Sequence, residues 1–211
     1  MIGWLHGSVV SPRRSRVLVR HLASLLPQGA SVLDVGCGDG RLAAGVTRER
    51  PDVSICGVDV LVRTKTAIPV ARFDGSRIPL RDGAVDVVLL VDVLHHTDDA
   101  VRLLGEASRV ARQLVIVKDH CAESAWDHAT LRMMDWVGNA RYGVSLPYSY
   151  FSRQEWVRAF RAGRLNEVHY DDELGLYPMP ASAVFERTLH FMCALQPDAR
   201  VRMGMGGLAR T

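Results

Sequence analysis

Cysteine is sparse in this 211-residue chain, and its four copies, Cys37, Cys56, Cys121 and Cys193, form no C-x-x-C pair. That scatter argues against a zinc ribbon or a dithiol redox motif, and a domain of this length needs no disulfide framework to hold its core. Buried thiols are the expectation for Cys37, inside a turn, and for Cys56, inside an apolar run. Long hydrophobic runs are missing too. None approaches the roughly 18 residues that a membrane-spanning helix needs, so no stable membrane insertion is expected. Residues 1–11 lack the charged-then-apolar layout of a secretory signal, which points to a cytoplasmic protein. Charge of one sign is also scarce: the net charge is +3, with a pI near 8.8. This falls well short of the clustered Lys/Arg footprint of a nucleic-acid binder, so no nucleic-acid partner is expected.

Glycine, by contrast, is concentrated where it matters. The apolar run 31–35 reads as a buried strand. It breaks into Gly36-Cys37-Gly38-Asp39-Gly40, and a helical pattern starts at Arg41 and stops at Pro51. Closely spaced glycines suit a sharp bend at positive φ, or a place where a ligand lies against bare backbone. A strand that feeds a helix through such a bend turns free N–H groups and the positive helix end toward one cleft, at the carboxyl edge of a sheet.

The rest of the chain continues the alternation. A second strand, 53–58, ends on Asp59, and a third, 70–73, ends on Asp74-Gly75-Ser76. The run 85–91, broken only by Asp86, reads as a central parallel strand and leads into Asp92-Val93-Leu94-His95-His96. Thr97 or Asp98 is placed to cap the next helix, and a fifth strand, 114–117, closes on Lys118-Asp119-His120. Strands and helices alternating in this way build a doubly wound parallel sheet. Ahead of it, Ser11-Pro12 opens an amphipathic helix whose arginines, including Arg14, are expected on a solvated face. Residues 121–150 read as long, aromatic and irregular. Ser152 and Glu155 form a capping box, and two more strands are expected within 167–177 and 187–195. The expected organisation is an N-terminal helical segment or lid over 1–29, one α/β domain over 30–195 with an acceptor-side insertion at 121–150, and a disordered tail over 196–211.

Carboxylates at the tips of successive strands complete the pattern. Asp59 follows Gly40 by about 20 residues, the separation at which an acidic side chain accepts both hydroxyls of a nucleoside ribose. The G-x-G-x-G spacing differs from the G-x-G-x-x-G of nicotinamide oxidoreductases. Taken together, VLDVGCGDG, GVDV, FDGSRIPL and VDVVLLVDVLHH resemble the motifs of class I S-adenosylmethionine-dependent methyltransferases over roughly residues 30–120. The detail of the pattern is similar to the small-molecule branch that includes ubiquinone and menaquinone methyltransferases. The resemblance implies a Rossmann-like sheet of seven strands with the last antiparallel, S-adenosylmethionine as cofactor, and a cofactor site built from Asp34, Gly36, Cys37, Gly38, Gly40, Asp59, Val60, Asp74, Gly75, Ser76 and Asp92. Within it, Asp34, Gly36 and Gly38 would face the amino acid tail and Asp59 the ribose. Asp74 would meet the adenine amine, with Ser76 or nearby amides on the ring nitrogens and Ile78 or Ile55 against the ring.

The family motifs also exclude. An Asn/Asp-Pro-Pro-Tyr/Phe sequence after the fourth strand, common in methyltransferases of DNA amino groups, is replaced here by Asp92-Val93-Leu94-His95-His96, and no Pro-Cys pair serves cytosine C5 attack. The expected acceptor is therefore an oxygen or carbon atom of a small, partly apolar molecule. His95 and His120 are the candidate general bases, since a histidine titrates near neutrality. His96, Asp119, Arg141, Tyr142 and Tyr148 are candidates to touch the acceptor. A divalent ion held by Asp92, Asp119 and His95 is weighed and set aside, because Asp119-His120 replaces the Asp-Asn pair of catechol-type relatives, and no metal is assigned. The rival reading is a non-catalytic S-adenosylmethionine-binding module that regulates a partner enzyme.

Overall fold

A computed structural model of the chain describes residues 11–139, 150–186 and 188–198. Helical spacing of apolar residues makes the first element, α1 (Ser11–Leu25), which turns Leu18 and Leu22 inward. The alternation then runs through β1 (Ser31–Val35), α2 (Arg41–Glu49), β2 (Ser54–Asp59), β3 (Val70–Arg72), β4 (Val85–Val91), α3 (Ala100–Val110) and β5 (Ala111–His120). It closes with α4 (Ala125–Asn139), α5 (Arg153–Ala162), β6 (Leu165–Asp171), the short α6 (Ser182–Phe185) and β7 (His190–Pro197).

The strands form one seven-stranded sheet in the order β3-β2-β1-β4-β5-β7-β6. β1 to β5 pair in parallel, while β7 is antiparallel to both β5 and β6. This is the α/β architecture expected from the sequence. Because β1 pairs with β2 on one side and β4 on the other, the strand order reverses at β1. A crevice opens at the carboxyl ends of the strands at such a switch point.

The apolar run of β4 shows why the sheet sits centrally. Alternate side chains of a strand point to opposite faces. Val88 and Leu90 accordingly join Leu103, Leu104, Trp156 and Phe160 on the face covered by α3 and α5. Val87 and Leu89 join Leu18, Leu22, Ala43 and Val46 on the face covered by α1 and α2. None of the described helices is long and apolar enough to cross a membrane.

Several sequence expectations are corrected. Much of the stretch 121–150 is the helix α4, started where Ser124 and Asp127 exchange hydrogen bonds. Its inward residues Leu131 and Met134 have helical spacing, but Trp126 and Trp136 lie exposed, so the aromatic content concealed the period. Asp99, and neither Thr97 nor Asp98, caps α3 by accepting from the Arg102 amide; Thr97 closes the preceding 3-10 turn (Leu94–His96) through its hydroxyl bond to the Leu94 carbonyl. β6 stops at Asp171, well short of Tyr177, and β7 takes in Gln196 and Pro197 from the expected tail. Residues 199–211 lie outside the described residues. Cys121 and Cys193 are buried, but Cys37 is only partly so and Cys56 is exposed. Neither connection flanking β3 forms a helix, which leaves this part of β2 uncovered.

Leu90 has no exposed surface and packs between β1, β5 and α3. Leu90→Ala is expected to lower the unfolding free energy by about 3 kcal/mol, measured by urea denaturation, with the loss arising from both transfer and cavity formation.

Candidate cofactor and active site

A cleft of about 640 Å³ lies at the crevice end of the sheet, bordered by Gly36, Gly38, Asp59, Val60, Asp74, Gly75, Ser76, Asp92 and His96. Its walls are set by backbone geometry. Gly36 has φ of 72°, and a Cβ there would come within 2.6 Å of Val93 Cγ2, so only glycine lets Val93 close over the bend. At Gly38, with φ of 59°, a Cβ would meet no atom within 4 Å. Its bare backbone borders open space, as close approach of a ligand requires.

Asp59 organises this wall. One carboxylate oxygen accepts from the Gly38 amide at 2.7 Å and the other from the Leu61 amide at 2.8 Å. The tip of β2 is thereby locked to the glycine bend after β1. Asp74 is held differently, since its Oδ1 accepts from the Ser76 amide, the Ser76 hydroxyl and the Arg77 amide. Those bonds, led by the Arg77 amide, hold the carboxyl below its ordinary range. Ser76, expected on the adenine ring nitrogens, thus directs both its donors at Asp74. Asp34 is buried behind the bend, and burial, with Asp59 adding, pushes its carboxyl up to about 7.

Other expected cofactor residues act from outside the cleft. Gly40 supplies the left-handed residue that starts α2. The Cys37 sulfur lies against Gly57, within 2.3 Å of where a Cβ would stand. Ile55 and Ile78 both belong to the core and do not line the cleft. The apolar side chains that do are Val60, Leu61, Phe73, Val93 and Leu103. Val60 apart, they were not singled out from the sequence: Leu61 is an exposed apolar residue without a period, while Phe73 and Leu103 are buried and look like core.

Asp92 lines the cleft at φ of 55°, a conformation rare for a non-glycine residue. Two cations fix it: Arg14 of α1 on one oxygen, and Lys118 Nζ on the other at 2.5 Å. Burial opposes the charge, but Arg14 and Lys118 override it and hold the carboxyl well below the ordinary range. Arg14 therefore leaves the solvated face expected of it.

Beside this pair, His95, Asp119 and His120 form a buried cluster. His95 Nδ1 lies 2.5 Å from Asp119 Oδ1, which also accepts from the His120 amide at 2.8 Å, while Oδ2 accepts from the Leu94 amide. His120 Nδ1 stands 3.3 Å from the same Oδ1. Burial raises the Asp119 pKa, and the two histidines more than reverse that. Burial, Lys118 and His95 push His120 down to about 4. The three side chains place ligand-capable atoms within 4.8 Å of one another, although the 2.5 Å separation is a hydrogen bond's length. The His96 ring, 3.9 Å from that of His95, connects the cluster to the cleft. Arg141, Tyr142 and Tyr148 lie outside the described residues.

Comparison with known proteins identifies the family. Residues 11–168 match the methyltransferase domain family. The chain is 40% identical over 93 residues to an uncharacterized methyltransferase of Mycobacterium sp. (strain KMS), covering 41% of this chain and 36% of that protein. It is 33% identical over 111 residues to a malonyl-[acyl-carrier protein] O-methyltransferase of Geobacter sulfurreducens, covering 46% and 41%. The matched stretch thus spans about 36% of the length of the mycobacterial relative. Among solved structures, one from the Haloferax volcanii complex of the Trm112 methyltransferase activator with a methyltransferase superposes with a TM-score of 0.66 at 17% identity, covering 87% of this chain and 90% of that one. This chain belongs to the class I S-adenosylmethionine-dependent methyltransferases. The comparisons do not extend to the ubiquinone-type branch.

Asp34 provides a test of the bend's electrostatics. Its pKa is raised on folding, so its contribution to stability is fully present below 3.8 and is lost as pH rises through about 7. Asp34→Asn is expected to gain stability relative to the wild type across that window and to hold a constant difference above it, read by thermal unfolding at stepped pH.

Proposed function

We propose that the chain transfers the methyl group of S-adenosylmethionine to an oxygen or carbon atom of a small, partly apolar molecule. The observation that carries this reading is that Gly36, Gly38, Asp59 and Asp74, separated in sequence, border a single cleft. Its volume falls in the range of small-molecule and cofactor sites. The donor set suits the ligand. Asp59, already oriented by two amides, would receive the ribose hydroxyls. Asp74 would meet the adenine end, and the open backbone at Gly38 the amino acid end. Asp34, behind the bend, would gain from an ammonium nearby, because a cation restores its charge. When bound, the cofactor supplies an electrophilic methyl group on a sulfonium.

A hydroxyl or carbon acceptor must release a proton, whereas a carboxylate or a neutral amine attacks through a lone pair it already has. His95 is built for that task. Its Nδ1–H donates to Asp119, which fixes the tautomer and leaves Nε2 as the basic nitrogen. Asp119 is itself immobilised by the Leu94 and His120 amides. The O-methyl transfer named for the Geobacter relative supports the same class of acceptor. Alignment of the acceptor against the methyl group supplies the remaining acceleration.

The test is release of S-adenosylhomocysteine from S-adenosylmethionine across a panel of phenols, enols, carboxylic acids and amines. Turnover is expected with an oxygen or carbon acceptor. His95→Asn should reduce it by roughly 10²–10⁴-fold while leaving cofactor affinity unchanged. Turnover confined to amines, or undiminished in His95→Asn, would overturn the reading.

A further inference from the structure

One buried donor is not used by the site described above. His190, the first residue of β7, pairs across the sheet with His120, and the two rings lie 4.9 Å apart. It is 1% exposed. Its Nδ1 lies 3.3 Å from Lys118 Nζ, whose other partner is the Asp92 carboxylate. An ammonium donates and cannot accept. His190 Nδ1 is therefore the accepting nitrogen, and the ring proton belongs on Nε2. Burial, followed by the Lys118 charge, holds the imidazole well below its ordinary pKa, so the ring stays neutral with one N–H. That Nε2 is buried and has no hydrogen-bond partner among the described residues.

Buried donors are almost always paired, and an unpaired one marks a strained or functional position. The surroundings define what would pair with it. The Tyr177 ring lies 5.6 Å from His190, and Tyr177 in turn hydrogen-bonds Arg14. Lys118, Arg14 and Asp92 tie this corner to the cofactor cleft, and His120 ties it to the His95–Asp119 pair. The corner thus presents the Tyr177 ring and a fixed neutral N–H, with Arg14 and Lys118 behind it paired to Asp92. A neutral N–H suits an oxygen bearing a partial or full negative charge, whereas an ammonium, itself only a donor, cannot pair with it.

We propose that His190 contacts the acceptor, its Nε2–H donating to an oxygen of a phenol, enol or carboxylic acid held beside the His95–Asp119 pair. Lys118 is the positioning residue that fixes the His190 tautomer. The inference rests on the methyltransferase reading and narrows its acceptor to oxygen-bearing molecules.

The experiment uses the full chain, ¹⁵N-labelled at histidine and loaded with S-adenosylhomocysteine. Ring-nitrogen NMR should show His190 as the neutral Nε2–H tautomer, assigned by its loss in His190→Phe. Phenol added at millimolar concentration should shift that resonance, and benzylamine should not. Lys118→Met, if folded, should release the tautomer preference. A His190 imidazolium or an Nδ1–H tautomer would overturn the proposal. So would a resonance insensitive to phenol, which would mean a donor that serves a buried water only, or one that responds equally to benzylamine. Calorimetry with S-adenosylhomocysteine on the same sample separates the two readings. Cofactor binding without a phenol response removes this inference alone, whereas absence of cofactor binding removes the methyltransferase reading beneath it.

Discussion

The two hydrogen bonds that Asp59 accepts, from the Gly38 and Leu61 amides, are the constraint on which the rest of the site depends. They join the end of one strand to the bend that follows its neighbour, and so convert two separate loops into one wall. Charge-assisted bonds from amides are short and directional. The carboxylate is therefore oriented by the fold itself, and the hydroxyls of the proposed ligand would meet an acceptor whose reorganisation cost has already been met in folding. The sheet supplies the rigidity this needs: β1 is paired on both sides, and its flanking helices seal each face.

A second constraint organises the far side of the cleft. Asp92, in a backbone conformation that disfavours a side chain, is held between Arg14 and Lys118. Taking such charges out of water is costly unless each is paired, and here the pairing draws in three segments distant in sequence. α1 contributes Arg14, β5 contributes Lys118, and β7 reaches the same ammonium through His190. The parallel cluster of His95, Asp119 and His120 uses the next positions along β5. Successive residues of one strand thus feed two networks, one tied to the cofactor cleft and one suited to moving a proton.

Much of this was legible in the sequence, and the reasons are specific. Glycine spacing, strand-terminal aspartates and the apolar run of β4 are local signals, and all fall where the sheet needs them. That Asp59 and Asp74 would border one cleft was readable because strand and helix alternation brings successive strand tips to one edge. Arg14 was not readable, because an arginine on an amphipathic helix looks the same whether it faces water or a carboxylate 78 positions away. Lys118 and His190 escaped for a related reason: their contact is a cross-strand diagonal between β5 and β7, which no spacing within either segment encodes. α4 was hidden by its exposed tryptophans, which blur the helical period that Leu131 and Met134 alone would show.

The most direct test of the central claim is calorimetric titration of S-adenosylhomocysteine into the wild-type chain and into Asp59→Ala. A bend and carboxylate pre-set for a nucleoside predict saturable binding at micromolar strength, weakened at least about tenfold by loss of a charge-assisted, bidentate acceptor. No heat of binding at millimolar ligand, or equal affinity in Asp59→Ala, would contradict the account.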